Sequence, residues 1–245
     1  MPETPLNRPP LSLVIPCYNE AANLPGLVAR CLVLAGSTGG EVILVDNGSS
    51  DDTPAVLQKL LAGQKAVRSV RVDENQGYGH GIVEGLRAAR GEVIGWTHAD
   101  LQTDPMDAAR ALRVFQQSDT PELLYVKGLR KARPLADTVF TAGMSVFETL
   151  LMGRILRDVN AQPNLMHRSV VDAWADPPKD FSLDLFALAN AKRRKLKVVR
   201  IPVLFPERQH GQSSWNVNWA AKRKFIKRTL DYSFRLRRDF SRSGA

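Results

Sequence analysis

Short apolar runs that each end at a polar turn recur along the N-terminal half of this chain. Residues 11–16, 41–45 and 92–96 are three such runs, and their length and apolar character predict buried strands. Turns marked by Gly or Pro follow them, and then patterns typical of helices. Repeated strand–helix units of this kind predict a mostly parallel α/β sheet with flanking helices. Polar residues at the strand ends then gather at one edge of the sheet, where such folds bind ligands.

The segment 97–102, Thr-His-Ala-Asp-Leu-Gln, follows one of these runs with an abrupt change of polarity. Asp100 and Gln102 are two residues apart, so in an extended segment their side chains project to the same side. Carboxylate and amide oxygens suit Mg²⁺ or Mn²⁺ carrying a diphosphate. The segment therefore predicts a metal site, with ordinary turn chemistry as the alternative.

Several motifs then point to one family by their order and spacing. They are residues 16–20 (Pro-Cys-Tyr-Asn-Glu), 46–49 (Asp-Asn-Gly-Ser), 75–77 (Asn-Gln-Gly), 99–102 (Ala-Asp-Leu-Gln) and 208–213 (Arg-Gln-His-Gly-Gln-Ser). Over residues 11–216 the chain resembles family 2 glycosyltransferases of the GT-A fold, a Rossmann-like architecture. Within that family it is similar to the branch of dolichol-phosphate mannose synthase and other polyprenyl-phosphate glycosyltransferases.

This resemblance implies a role for individual residues on the donor side. Asp100 and Gln102 would hold the metal, and Arg208 and Ser213 the donor phosphates. His98 departs from the family, where Asp is common; it is either a third metal ligand or a turn residue bonded to backbone. A second departure is Ser214, where relatives often place Lys. The nucleotide would contact the residues Pro16, Tyr18, Glu20, Asp46, Ser49 and Asn75. For Asp46 a turn-forming or helix-capping role is the alternative.

On the acceptor side, the loop 128–134 supplies the cations Arg130, Lys131 and Arg133. Such a cluster suits a phosphate, because Arg can bind it bidentately. The polar loop 160–165 offers Gln162 and Asn164 as partners for sugar hydroxyls, with a structural loop as the alternative. A lipid phosphate oxygen is already anionic and needs no general base. A sugar hydroxyl does need one, and Asp184 is then the candidate, against a structural role in its helix.

The charge of the chain is concentrated near its C-terminus. The formal net charge is +9, and residues 222–242 hold nine Lys and Arg against two Asp, a balance of +7. Apolar residues recur among these cations at helical spacing, which predicts a basic amphipathic helix with two apolar stripes. An anionic membrane surface is the favoured partner; a membrane protein, a solvated helix face and nucleic acid are the alternatives, with nucleic acid not favoured.

We therefore expect a disordered lead-in over residues 1–10, a GT-A catalytic domain over 11–216 and a basic helical appendage over 217–245. A second amphipathic helix is expected over about 136–154. The two cysteines lie in apolar patterns, which favours a reduced, cytoplasmic setting and argues against disulfides.

The function implied is an inverting, metal-dependent glycosyltransferase, peripherally associated with the membrane. It would move a hexose from a nucleotide sugar, GDP-mannose or a UDP-hexose, to a polyprenyl or dolichyl phosphate. One alternative is the same donor chemistry with a sugar hydroxyl as acceptor. An alternative of another class is an inactive nucleic-acid-binding or scaffold protein.

Overall fold

The structure is a computed structural model that describes residues 8–131, 135–206 and 219–242. In these ranges strands and helices alternate over the first half of the chain, as the sequence pattern predicts. The strands are β1 (Leu11–Cys17), β2 (Glu41–Asn47), β3 (Val67–Val72), β4 (Val93–Trp96), β5 (Leu124–Lys131), β6 (Asn164–His167) and β7 (Lys197–Leu204). The helices are α1 (Leu24–Thr38), α2 (Thr53–Leu60), α3 (Tyr78–Ala88), α4 (Asp107–Gln116), α5 (Leu135–Met152), α6 (Arg168–Asp172), α7 (Leu183–Arg193) and α8 (Trp219–Arg242).

In the described part of the chain the strands form one seven-stranded sheet in the order β3-β2-β1-β4-β6-β5-β7. Neighbours β3, β2, β1 and β4 are parallel, as are β5 and β7. Strand β6 lies antiparallel between β4 and β5. The predicted mostly parallel α/β sheet is thus confirmed, and the carboxyl ends of β1 to β4 meet at one edge.

Two hydrophobic cores cover the two faces of the sheet. Along β1, Leu13 and Ile15 enter the core shared with α1 and α4, while Val14 enters the core shared with α3 and α7. Apolar residues on both sides of a strand are typical of a parallel sheet covered by helices on both faces. Gly85 lets α3 approach β1 closely, because a Cβ atom at this position would lie 2.3 Å from Cγ1 of Val14.

Both ends of the described chain contact the catalytic domain. Pro9 and Pro10 accept backbone hydrogen bonds from Glu92 and Val93, so ordered structure begins before residue 11; residues 1–7 lie outside the described residues. Helix α8 is packed on the domain, because Tyr232 and Leu236 are buried in the same core as α3 and α7. The C-terminal helix therefore contacts the catalytic domain through its buried side.

Candidate functional site

Polar loops meet at the edge formed by the carboxyl ends of β1 to β4. Gly48 follows β2 with φ at +71°, and a Cβ atom there would lie 2.5 Å from the backbone nitrogen of Asn75. Ser49 Oγ accepts a hydrogen bond of 3.1 Å from the backbone of Asn19, which follows β1. The three motifs predicted to contact a nucleotide are therefore in mutual contact, and glycine is required at 48 by both φ and space.

Asp46 ends its strand with both carboxylate oxygens engaged. Oδ1 accepts from the backbone of Ser49 at 3.0 Å, and Oδ2 pairs with Arg71 at 2.7 Å. The first contact is the turn that the sequence left as an alternative to nucleotide binding. Asp46 is 3% exposed, whereas Arg71 has about half its side chain in solvent, so the pair presents a cation at the rim of the edge.

The remaining nucleotide candidates differ in how accessible they are. Tyr18 is 49% exposed just after β1, so its ring is available to stack on a base. Glu20 bonds the Asn23 amide at 2.5 Å, and its backbone nitrogen donates to Thr53 at 2.9 Å. Asn75 is exposed and accepts from the backbone of Gly77, while Pro16 is half-buried within β1.

The candidate metal ligands lie together just beyond β4. Asp100 is 5% exposed, and its Oδ1 accepts from the backbone of Gln102 at 3.1 Å across Leu101, whose φ is +57°. Gln102 donates its Nε2 to the carbonyl of Pro206 at 2.9 Å, which orients its amide group. In residues 8–131, 135–206 and 219–242 no group of three or more His, Cys, Asp or Glu is arranged to hold a metal. A carboxylate and an amide fit a hard divalent ion that takes its other ligands from a diphosphate and water.

His98 lies beside an aromatic stack. Its ring centroid is 5.7 Å from that of Tyr78, and the Tyr78 ring stacks on Phe181 at 4.8 Å and 11°. Arg228 of α8 lies over the Phe181 ring, 5.4 Å from its centroid, and pairs with Asp180 at 3.2 Å. The stack therefore connects the C-terminal helix to the strand end that carries the candidate metal ligands.

The residues predicted to contact sugar lie in a buried hydrogen-bond network. Gln162 is 1% exposed, and its Nε2 donates to Tyr78 Oη at 3.2 Å and to Asp184 Oδ1 at 3.1 Å. Asn164 is fully buried, and its Nδ2 donates to Gln162 Oε1 at 2.7 Å and to Asp184 Oδ1 at 3.0 Å. These amides are held by the buried network, Asn164 as the first residue of β6, and their contact with a sugar stays a prediction.

Asp184 is the centre of this network. Its Oδ1 also accepts from the Trp96 indole at 3.0 Å, so three side chains from three parts of the chain donate to one oxygen. The side chain is 2% exposed at the start of α7. A carboxylate held in this way orients its donors, which is the structural role that the sequence offered beside that of a general base.

Lys127 belongs to the same network and was missed by the sequence analysis. It is fully buried on β5, and its Nζ donates to the carbonyl of Ala161 at 2.7 Å and to Asn164 Oδ1. Tyr125 Oη donates to that same Oδ1 at 2.6 Å. Burial lowers the pKa of Lys127 to about 7, against the attraction of Asp184. One sequence feature could have indicated this buried lysine: it lies two residues after Tyr125 in an otherwise apolar run.

The predicted acceptor cations lie partly on β5, which continues to Lys131, rather than wholly in a loop. Arg130 is bonded to Asp158 through its side chain and also through its backbone nitrogen at 3.1 Å. Burial would raise the pKa of Asp158, but these bonds and the Arg130 charge outweigh it and hold the pKa below its usual value. Lys131 is exposed. The other predicted phosphate-binding residues, Arg133, Arg208 and Ser213, lie outside the described residues.

Comparison with known proteins gives a family match and two groups of relatives. Residues 12–121 match the model of Glycosyl transferase family 2. An undecaprenyl-phosphate 4-deoxy-4-formamido-L-arabinose transferase from Sodalis glossinidius is 29% identical over 221 residues, which are 87% of this chain and 65% of that protein. The corresponding protein of Photorhabdus laumondii is 30% identical over 84% of this chain and 63% of its own length. The chain thus spans less than two thirds of the curated relatives it matches.

Solved structures of the same fold include glucosyl-3-phosphoglycerate synthase from Mycobacterium tuberculosis. Its complex with Mn²⁺, uridine diphosphate and glucosyl-3-phosphoglycerate aligns with a TM-score of 0.72 and 16% identity, over 94% of this chain and 80% of that one. At this identity the likeness concerns the fold.

Proposed function

Since residues 12–121 of this chain are a glycosyl transferase family 2 domain, we propose that it transfers a hexose from a nucleotide sugar to a polyprenyl or dolichyl phosphate, with inversion at the anomeric carbon. The observation that carries the proposal is the meeting of Asp46, Asn75 and Asp100 at one edge of the parallel sheet. The names of the curated relatives, which are undecaprenyl-phosphate sugar transferases, support the acceptor class.

The donor is GDP-mannose or a UDP-hexose, with its nucleotide in the loops after β1, β2 and β3. The exposed ring of Tyr18 stacks on the base, and Asp46 accepts a hydrogen bond from a ribose hydroxyl or a base N–H. Ser49, Glu20, Asn75 and Pro16 complete the surface. The Arg71 guanidinium next to Asp46 faces the same rim and adds a positive charge near the donor.

Asp100 and Gln102, with His98 as a further candidate, hold Mg²⁺ or Mn²⁺. A divalent ion there neutralises the negative charge that develops on the diphosphate leaving group. Arg208 and Ser213 are proposed to add a second cation and a hydroxyl donor at the same phosphates. The complexes of the fold relatives with Mn²⁺ and uridine diphosphate support a divalent ion in this kind of site.

The acceptor phosphate binds on the other side of the site, at Arg130, Lys131 and Arg133. One of its anionic oxygens attacks the anomeric carbon and forms the new C–O bond. The bond from that carbon to the nucleotide diphosphate breaks, and its electron pair leaves with the diphosphate. No proton has to be removed, which agrees with the engagement of Asp184 by three hydrogen bonds. A sugar hydroxyl as acceptor would need a base in its place.

We propose further that the enzyme works at an anionic membrane surface. Among the described residues no helix is both long and apolar enough to cross a bilayer. Large apolar side chains are nevertheless exposed on α5 and just after it: Val146 by 59%, Leu150 by 75% and Ile155 by 64%. Phe234 of α8 is 50% exposed next to Phe147 of α5, and Lys227 and Arg238 lie exposed on α8. Apolar side chains beside exposed cations are what an anionic interface binds.

The donor half of the proposal is tested by screening nucleotide sugars for thermal stabilisation of the protein, with and without Mn²⁺. We expect one nucleotide sugar to raise the melting temperature only when the metal is present, because the diphosphate completes the ligand set. The Asp100→Asn variant should lose that effect and the Arg71→Ala variant should keep it in weakened form. Stabilisation by none of the nucleotide sugars would argue for the inactive, scaffold alternative.

A further inference from the structure

The segment 158–164, which we call the clamped segment, is fixed at both ends by buried charges. At its start, Asp158 is bonded by Arg130, and Arg200 donates to the carbonyl of the same residue at 3.4 Å. At its end, Asn164 is held by Lys127 and by Asp184. The segment therefore runs from a predicted acceptor cation to the buried network.

A continuous series of contacts leads from Lys127 to the donor edge. The amino group binds Asn164, and Asn164 donates to Gln162 at 2.7 Å. Gln162 in turn donates to Tyr78 Oη at 3.2 Å, and the Tyr78 ring lies 5.7 Å from that of His98. Each contact fixes a side chain at its neighbour, so the position of the clamped segment is transmitted to His98 beside the candidate metal ligands.

The charge on Lys127 affects how firmly this segment is held. The segment accepts two hydrogen bonds from the amine but also excludes water from it. Desolvation is the main cause of the lowered pKa of Lys127, so the closed segment favours the neutral amine. The charged groups that act on it are Asp184 on α7 and Asp158, which favour the ammonium, and Arg200 on β7 and Arg130 on β5, which oppose it. Tyr125, which shares the acceptor on Asn164, has its pKa raised well above the usual value by burial and stays neutral.

We propose that Lys127 is a positioning residue: its amino group, through Ala161 and Asn164, holds the clamped segment between acceptor-side Arg130 and donor-side Tyr78, and transfer is faster when it is neutral. The inference rests on the proposed function, since it concerns the same site. Lys127 does not touch the reacting atoms; it acts through Asn164 and Gln162.

The first readout needs no substrate. Hydrogen exchange of peptides from the clamped segment is measured at about pH 6 and about pH 8.5, corrected for the intrinsic pH dependence of exchange. In the wild-type protein we expect exchange of this segment to fall about tenfold at the higher pH, because opening hydrates the amine and its charged form therefore favours the open state. Lys127→Gln, which keeps a neutral donor, should show no such fall.

Tyr125→Phe is the matched control, because it removes the other donor to the same oxygen without removing a group that titrates in this range. We expect it to keep the pH-dependent exchange of the wild type. Transfer should follow the same pattern: the ratio of wild-type kcat to that of Lys127→Gln rises about tenfold over the interval, while the ratio to Tyr125→Phe stays constant. Titration of the phosphate substrates cancels in both ratios.

Identical pH dependence of exchange in wild type and Lys127→Gln would overturn the inference. If the variant does not fold, a wild-type segment whose corrected exchange is the same at both pH values would overturn it equally. If the wild-type protein transfers no sugar to a polyprenyl phosphate, the proposed function fails, and the exchange data still decide whether Lys127 holds the segment.

Discussion

Replacing Lys127 by Met should change the pH dependence of folding stability by an amount that follows from burial. The pKa of Lys127 falls from 10.5 to about 7 on folding. Between these values the unfolded chain binds a proton that the folded chain does not, so the contribution of Lys127 to stability becomes more favourable as pH rises. The slope approaches about 1.4 kcal/mol per pH unit, which gives about 2 kcal/mol between about pH 7 and about pH 9. Below about pH 7 both states are protonated and the penalty stays at its full value.

The assay is urea unfolding of wild type and Lys127→Met at several pH values and one ionic strength. From about pH 7 to about pH 9, we expect the free energy of unfolding of the wild type to increase by about 2 kcal/mol more than that of the variant. The thiols of Cys17 and Cys31, whose pKa values burial raises in the fold, titrate near this range only in the unfolded chain; they are common to both proteins and cancel. Parallel stability curves would refute the argument, because they would mean that the ammonium is not desolvated in the fold.

Three further changes test other parts of the account. Asp100→Ala should lower transfer by at least ~10³ while the unfolding midpoint stays near that of the wild type, since a metal ligand supplies several kcal/mol to the transition state; activity that survives a chelator would contradict this. Lys131→Ala with Arg133→Ala should raise KM for the acceptor more than for the donor, and equal changes would mean that the cluster binds the other phosphate. Lys227→Glu with Arg238→Glu should weaken sedimentation with anionic vesicles by about 10³, because the local charge changes by four at about 1 kcal/mol per charge; unchanged vesicle binding, or tight binding to oligonucleotides instead, would contradict the membrane proposal.

These variants use the structure in a way that the sequence alone would not have allowed. Arg130 is left in place because removing it would strand the carboxylate of Asp158 in a buried position, at a cost of about 3–5 kcal/mol. Truncation of α8 is avoided because Tyr232 and Leu236 are buried in the core. The exposed Lys227 and Arg238 can be changed without exposing that core.

The parallel half of the sheet was predictable because each strand is buried on both faces and ends at a Gly- or Pro-marked turn. The family resemblance is confirmed by the family model and the relatives, and the fold by the solved structures. Helices α5 and α8 lie where apolar residues at helical spacing predicted them. Both cysteines are free and buried, as expected from their apolar surroundings.

The antiparallel strand β6 and the network around it were not predictable from local pattern. Residues 160–165 contain three amide side chains and a proline, which is typical of a loop, yet Asn164 begins a strand between β4 and β5. It is buried there because contacts from distant parts of the chain, Tyr125, Lys127 and Asp184, satisfy its amide. Only the tertiary arrangement brings these donors and acceptors together, so single-sequence reasoning could not predict this network.

Transfer to polyprenyl phosphate is the most direct test of the central claim. The purified protein is incubated with Mn²⁺, the nucleotide sugar that stabilises it, and either undecaprenyl phosphate or the same lipid without its phosphate. We predict a glycosyl phosphate lipid of inverted anomeric configuration from the first acceptor and no product from the second. Equal transfer to the lipid alcohol or to a sugar hydroxyl, with none to the phosphate, would contradict the account, because it would require a general base where Oδ1 of Asp184 is held by three hydrogen bonds.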